Sequence, residues 1–305
     1  TATADGAIGI GKPVALQSNG TVKQITQTLT ENNPISNLAE RDVSPSPSNA
    51  DYGYGGLHYF PDDVNSGQGA TIHVWNAGGD IYCTTATFTN SSNNASKWHG
   101  NIFLGDTHDI SGFASAFDPS TGRLLAVWRG NNGYLRNAFV RFYKDGNNQL
   151  QYNIDSNNQT AHQVRSSSSE PLSASFSPTD SHFRVTYMTT GSAVNVITYE
   201  MTGNAGSAPT LTEKGSANIV SNQGNSEHHW MAHDSTNNRF MITYRNGASS
   251  DYGTYRYFST STSNGAVTNH AGGNFYTGSY IRYTRCEFNP QDDCFLVVFQ
   301  YASGI

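Results

Sequence analysis

The chain has 305 residues, of which 36% are hydrophobic, 12% aromatic and 13% charged, and its formal net charge is −6. A soluble domain ordinarily carries about 25% charged residues; the deficit here is filled by Ser, Thr, Asn, Gly and Tyr, residues of turns and polar strand faces. The 17 Lys and Arg are sparse and unclustered, which excludes a nucleic-acid binder with its basic footprint, and no apolar run approaches the roughly 20 residues of a membrane-spanning helix.

The first predicted element is a hairpin. Pro13-Val14-Ala15-Leu16-Gln17-Ser18 and Thr21-Val22-Lys23-Gln24-Ile25 are joined by Asn19-Gly20, and Asn-Gly between two such runs is a strong hairpin signal. Pro45-Ser46-Pro47-Ser48 reads as a loop, so residues 1–50 are expected to be an N-terminal arm and linker.

Residues 51–305 carry a repeat: an aromatic anchor, a turn containing Asp, Asn or Pro, then a short apolar strand ending in an aromatic. The first copy runs from Phe60-Pro61-Asp62 to Thr71-Ile72-His73-Val74-Trp75, and the second from Phe117-Asp118-Pro119-Ser120-Thr121-Gly122-Arg123 to Leu124-Leu125-Ala126-Val127-Trp128. The third runs from Phe176-Ser177-Pro178 to Phe183-Arg184-Val185-Thr186-Tyr187, and the fourth from His233-Asp234-Ser235 to Phe240-Met241-Ile242-Thr243-Tyr244. The fifth runs from Phe288-Asn289-Pro290 to Phe295-Leu296-Val297-Val298-Phe299. Successive anchors lie 57, 59, 57 and 55 residues apart. A third strand is expected at Asp80 to Thr89, Tyr134 to Tyr143, Ala193 to Met201 and Tyr252 to Ser259, and a weaker fourth at His162 to Ser168 and Ala217 to Asn222. In the second copy Phe139, Arg141 and Tyr143 alternate with Ala138, Val140 and Phe142, the period of a strand. The near-continuously apolar second strands suit a sheet covered on both faces.

Four antiparallel strands per unit of about 57 residues make an all-β chain, a β-propeller with blades somewhat longer than usual. Trp75, Trp128, Tyr187 and Tyr244 are expected to pack between blades, and the anchor turns to be structural. The fifth copy stops after two strands. Strands from residues 1–50 or chain beyond Ile305 would complete that blade, and the second expectation is the favoured one.

Candidate chemistry is thin. In Glu227-His228-His229-Trp230-Met231-Ala232-His233, His229 and His233 would sit about 13 Å apart along one strand face. That is too far to share an ion, so packed or hydrogen-bonded histidines are expected. No phosphate loop, Cys-x-x-Cys pair or EF-hand loop occurs, and no metal or cofactor is expected. Cys286 and Cys294 flank one turn, and whether they pair stays open. A glycosidase needs two carboxylates across its sugar; Glu170 and Glu227, before the first strands of the third and fourth blades, are the candidates for that alternative. Asp51-Tyr52-Gly53-Tyr54-Gly55, Trp98-His99 and Asp251-Tyr252-Gly253-Thr254-Tyr255 read as loops. Their Tyr52, Tyr54, Trp98, Tyr252 and Tyr255 offer an apolar ring face with a polar tip, suited to sugars.

The opening Gly6-Ala7-Ile8-Gly9-Ile10-Gly11-Lys12-Pro13-Val14-Ala15-Leu16, with Ser18-Asn19-Gly20-Thr21-Val22, resembles the leading hairpin of phage virion and tail proteins. Turns such as Phe117 to Arg123 before an apolar strand resemble propeller repeats in tail-associated proteins of marine and aquatic bacteriophages. The resemblance implies an extracellular or virion-borne tail or fibre component and no catalytic residues. Its partners would be further copies of itself or other virion proteins, and host-surface glycans. The expected function is therefore non-enzymatic assembly or glycan attachment. The alternatives are a five-bladed glycoside hydrolase and a purely architectural filament or decoration subunit.

Overall fold

Every described element of the computed structural model is a β-strand. The residues described are 3–4, 14–16 and 21–24 in a first unit, Thr1–Glu40, and 56–61, 69–77, 80–87, 97–106, 113–129, 135–155, 162–165, 168–189, 193–221, 229–278 and 280–301 in a second, Arg41–Ile305. In the first unit β2 (Val14–Leu16) and β3 (Thr21–Gln24) pair antiparallel, Val14 opposite Gln24, as the hairpin predicts. A short β1 (Thr3–Ala4), unforeseen, adds parallel to β3.

The second unit is a β-propeller in which each repeat copy is one antiparallel sheet. Blade one is β4 (Leu57–Phe60), β5 (Ala70–Ala77), β6 (Asp80–Thr87) and β7 (Lys97–Asp106). Blade two is β8 (Phe113–Asp118), β9 (Arg123–Arg129), β10 (Leu135–Lys144) and β11 (Leu150–Ile154), with β12 (His162–Arg165) also on β10. Blade three is β13 (Ser168–Ser177), β14 (His182–Thr189), β15 (Val194–Thr202) and β16 (Thr210–Val220). Blade four is β17 (Trp230–Asp234), β18 (Arg239–Asn246), β19 (Tyr252–Thr260) and β20 (Val267–Tyr276), and β21 (Ile281–Asn289) with β22 (Cys294–Tyr301) forms the incomplete fifth.

The fourth strands depart from expectation. In blade two the outer edge is divided: β11 pairs with the C-terminal half of β10 and β12 with its N-terminal half. The expected segment at 162–168 ends at Arg165, because Ser168 already opens β13. In blade three the strand starts earlier than expected, at Thr210. Outer strands face solvent, so their polar sequences carry little periodicity.

The anchor turns share one geometry. Asp118, Asp234 and Asn289 each accept the backbone N–H two residues on, at Ser120, Thr236 and Gln291, forming Asx turns. Four residues after those anchors, and after Ser177 in blade three, the backbone turns left-handed: φ is +69° at Gly122, +57° at Ser181, +48° at Asn238 and +49° at Asp293. Among the described anchor turns only that of blade two uses glycine there, and an L side chain in that region is disfavoured by about 1–2 kcal/mol. Exposed Ser181 is the clearest place to recover part of it. Ser181→Gly should raise the thermal midpoint by about 1–3 °C, after the entropy glycine gives back. A lowered midpoint in a melting scan would count against the turn geometry.

Blades pack face to face through apolar clusters. Trp128, Ala138, Val140 and Phe142 of blade two meet Ile72, Val74 and Leu104 of blade one. The alternate residues of blade two, Leu125, Val127 and Phe139, meet Phe183, Tyr187 and Tyr199 of blade three. Tyr244 and Phe258 of blade four meet Val194 and Val196 of blade three. The second strands β9, β14 and β18 are buried almost end to end, as their continuous apolarity requires.

Trp75 corrects the expectation of inter-blade packing. Its indole stacks on Tyr82 of its own blade at 4.8 Å, and its N–H donates to Thr84 Oγ1 at 2.8 Å. Tyr82 in turn meets Phe103 edge-on, so three aromatics cross the face of blade one that no described blade covers. That face also exposes Leu57 and Tyr59, and blade five exposes Leu296 and Val298. All three cysteines are free thiols. Cys286 lies opposite Val297 and Cys294 opposite Asn289, and burial pushes the Cys286 thiol up to about 12.

Candidate functional site

The first strand of each copy lines one cavity of about 510 Å³, to which β4, β8, β13, β17 and β21 all contribute. Its existence follows from residue size. Second strands are filled by Leu, Val, Ile and Phe, whereas the lining stretches read Ala114-Ser115-Ala116, Ala174-Ser175 and Ala232. Small side chains on converging strands leave space, and the anchor aromatics Phe117 and Phe176 close its apolar side.

Five polar side chains line this space, those of His58, Ser115, Ser175, His233 and Glu287. Ser115 Oγ accepts the Gly56 N–H at 3.1 Å and lies 2.8 Å from His58 Nε2, which ties blade one to blade two. Burial, with nearby His73 adding to it, lowers the His58 pKa to about 4; at neutral pH the ring is uncharged. His233 approaches Asn238 Oδ1 at 3.2 Å through Nε2 and packs 4.7 Å from the Phe240 ring. Burial lowers its pKa too, against the opposing bond to Asn238. Glu287, solvent-exposed on β21, is the last of them: partial desolvation raises its pKa, and among the described residues no hydrogen bond or ion pair reaches its carboxylate.

Trp230 completes the lining. The Arg285 guanidinium lies 4.1 Å from its ring centroid, and Arg285 Nη1 donates to Thr284 O at 2.9 Å. The cavity therefore combines aromatic walls, two uncharged imidazoles, two serine hydroxyls and one carboxylate.

Of the residues expected from sequence, Tyr252 and Tyr255 do not line the cavity. Tyr52, Tyr54 and Glu227 fall outside the described residues. Glu170 is on β13, beside the irregular pairing between Ser169 and Leu172, and Trp98 is on β7 opposite Ala86. Tyr252 and Tyr255 are not in a loop: they open β19, opposite Asn246 and Thr243. Tyr255 packs in the junction of blades four and five, 5.4 Å from the Tyr257 ring. That run has a strand's alternation, and the turn precedes it at residues 247–251. His229 is buried with Nε2 3.0 Å from Thr186 Oγ1, the packed role expected of it. Among the described residues no cluster of three His, Cys, Asp or Glu side chains could hold a metal.

His58, Ser115 and Glu287 were not singled out by sequence. The signal for them was the Ala/Ser content of the first strands, which marks where bulk is withheld.

No protein-family model matches the chain, and no curated protein does. Solved structures resemble it, and the first of these shares its fold. A protein from Lactobacillus plantarum superposes with a TM-score of 0.52 at 10% identity, over 98% of this chain and 74% of its own. AofleA from Arthrobotrys oligospora gives 0.49 at 9% identity, over 84% and 66%. The SapL1 lectin, solved with alpha methyl fucoside, gives 0.34 at 10%, over 83% and 90%. At such identities the likeness concerns architecture alone.

Proposed function

We propose that the protein is a non-enzymatic saccharide-binding β-propeller, displayed outside the cell or on a virion as a tail or fibre component that attaches to host glycans. The observation that carries the reading is the central cavity. Its volume lies within the range of about 300–1,000 Å³ usual for small-molecule sites, and its lining pairs aromatic and small apolar surface with a few polar groups. A sugar ring makes the same two demands, an apolar C–H face and a rim of hydroxyls. The apolar faces of blades one and five, with Leu57, Tyr59, Leu296 and Val298 exposed, support the assembly half of the proposal, since monomers rarely leave such surface uncovered.

Hydrolysis is the reading to be separated from it. One carboxylate, Glu287, lines the cavity among the described residues, whereas glycoside cleavage uses a pair. A glycan array and a reducing-end assay on one preparation decide between them: binding without release of reducing ends is expected. Turnover that disappears in Glu170→Gln or Glu227→Gln would establish the hydrolase instead. Mass spectrometry of purified phage particles tests the virion placement, and its absence from them would remove that part.

A further inference from the structure

We infer that the junction of blades two and three binds an oxyanion group, of the sulfate kind, between the guanidiniums of Arg123 and Arg141. Neither arginine lines the central cavity, and the inference does not depend on the saccharide reading. It rests on one rung that crosses blade two at its anchor turn. Asp118 on β8 stands opposite Arg123 on β9, Arg123 opposite Arg141 on β10, and Arg141 opposite Asn153 on β11. Like charges directly opposite on neighbouring strands destabilise a sheet.

The same rung is balanced in the next two blades. In blade four it reads Asp234, Arg239, Ser259 and Thr268, and Arg239 Nε donates to Asp234 Oδ2 at 2.7 Å. In blade three its Glu200 pairs with Lys214 at 3.1 Å. In blade two the carboxylate is engaged by its own turn. Asp118 Oδ1 accepts the Ser120 N–H and hydroxyl at 2.9 and 2.6 Å, and Oδ2 accepts the Thr121 hydroxyl. Its charge still favours the Arg141 cation, but it is one carboxylate against two guanidiniums.

Those two guanidiniums converge on a single backbone oxygen of blade three. Arg123 Nη2 donates to Gly203 O at 3.1 Å, and Arg141 Nη1 donates to the same atom. Among the described residues neither forms an ion pair. A guanidinium has five N–H donors, and the Nε of each is buried without a hydrogen-bond partner. The loop that carries Gly203 is fastened beside them: Asn153 Oδ1 accepts the Gly206 and Ser207 N–H groups at 3.1 Å. Arg123 and Arg141 are half-buried while Asn204 and Gly206 are exposed, so the rung opens to solvent at this loop. An oxyanion there turns a repulsive pair into two sets of charge-assisted hydrogen bonds, and the planar guanidinium fork matches its oxygens. A free inorganic anion and a sulfated glycan share this chemistry.

The test is calorimetric titration of the full chain, at low ionic strength, with sodium sulfate, a sulfated disaccharide and the same disaccharide without sulfate. The sulfated sugar should bind about tenfold or more tightly than its unsulfated counterpart, and Arg141→Gln should abolish that preference. Arg123→Gln should do the same. Sulfate binding without a preference for the sulfated sugar assigns the site to a free anion, provided that Arg141→Gln removes it. The melting midpoint of Arg141→Gln should equal or exceed that of the parent, because one of two opposed like charges is gone. No binding of sulfate together with no preference for the sulfated sugar overturns the inference. So does anion binding that survives both substitutions, or a lowered midpoint with unchanged binding, which is the result for arginines that only hold the loop. In each of these cases binding of neutral glycans at the central cavity is unaffected and the saccharide reading stands.

Discussion

Arg184→Ala is expected to destabilise the second unit by about 3–5 kcal/mol, the scale for breaking a buried ion pair from one side. Arg184 is fully buried on β14, and its guanidinium pairs with the equally buried side chain of Asp180 in the anchor turn of blade three. It also donates to His182 O at 2.9 Å and to Thr260 Oγ1 of blade four, and lies 5.0 Å from the Phe240 ring centroid. One side chain thus closes a turn and joins two blades. Removing it strands the Asp180 carboxylate, whose other contacts are His182 and its backbone N–H. Urea unfolding followed by tryptophan fluorescence measures the loss. A change below about 1 kcal/mol would mean that the site is wetter than its geometry indicates.

The pH dependence gives that prediction a second edge. For Asp180, burial alone would raise the pKa, but the hydrogen bond and charge of Arg184 outweigh it and the net shift is downward. A folded-state pKa below the unfolded value, near 3.9, contributes stability above that pH and loses it as pH falls through the folded pKa. In Arg184→Ala burial dominates, so Asp180 shifts upward and the sign reverses. The gap between parent and variant should therefore narrow as pH is lowered toward 4. His58 acts in a separate window. Its folded pKa of about 4 lies below the ordinary histidine value of 6.5, so the unfolded chain takes up the proton first. Stability should decline as pH falls from about 6.5 to about 4, and His58→Gln should flatten that part of the profile.

The blade repeat is readable because turns impose residue types that cores do not. Phe117-Asp118-Pro119 and Phe288-Asn289-Pro290 announce a strand end, an Asx turn and a restart within a few residues. The continuous burial of β9, β14 and β18 follows from two covered faces, so five copies and their order are legible without coordinates. Outer strands are not, because solvent places no periodic demand on stretches such as Leu150–Ile154. The cavity resists reading for a different reason. Carboxylate chemistry and a place before a strand point to Glu170 and Glu227, whereas the lining among the described residues follows from which blade strand is innermost and which of its residues are small. Glu287, one residue before its anchor aromatic Phe288, has a local sequence no more informative than that of Glu200 or Glu213. Tyr252 and Tyr255 mislead because Gly253 lies between them, and glycine in a strand resembles glycine in a loop until its cross-strand partners are known.

Trp128→Ala should be comparably severe, about 3–5 kcal/mol for truncating a fully buried indole, and it allows a coupling measurement across a blade junction. The ring lies fully buried in the cluster between blades one and two. Opposite it on β7 stands Gly105, where a Cβ would come 2.4 Å from Trp128 Cζ2 and 2.9 Å from Cη2. The missing side chain is the socket for the ring. Gly105→Ala alone should cost about 1–3 kcal/mol by overpacking. In a Trp128→Leu background the smaller side chain vacates that space, and the same substitution should cost at least 0.5 kcal/mol less, the size of coupling found between contacting residues. Additive effects would show that the ring does not fill that socket. The junction also fixes how β4 and β8 meet at the cavity, where His58 and Ser115 touch. Gly105→Ala, the milder change, should therefore weaken the His58–Ser115 contact before the blade unfolds. The His58 pKa, followed by NMR, should then move up from about 4 as the ring becomes more hydrated. An unmoved His58 in a destabilised Gly105→Ala protein would separate the blade junction from the site it is argued to hold.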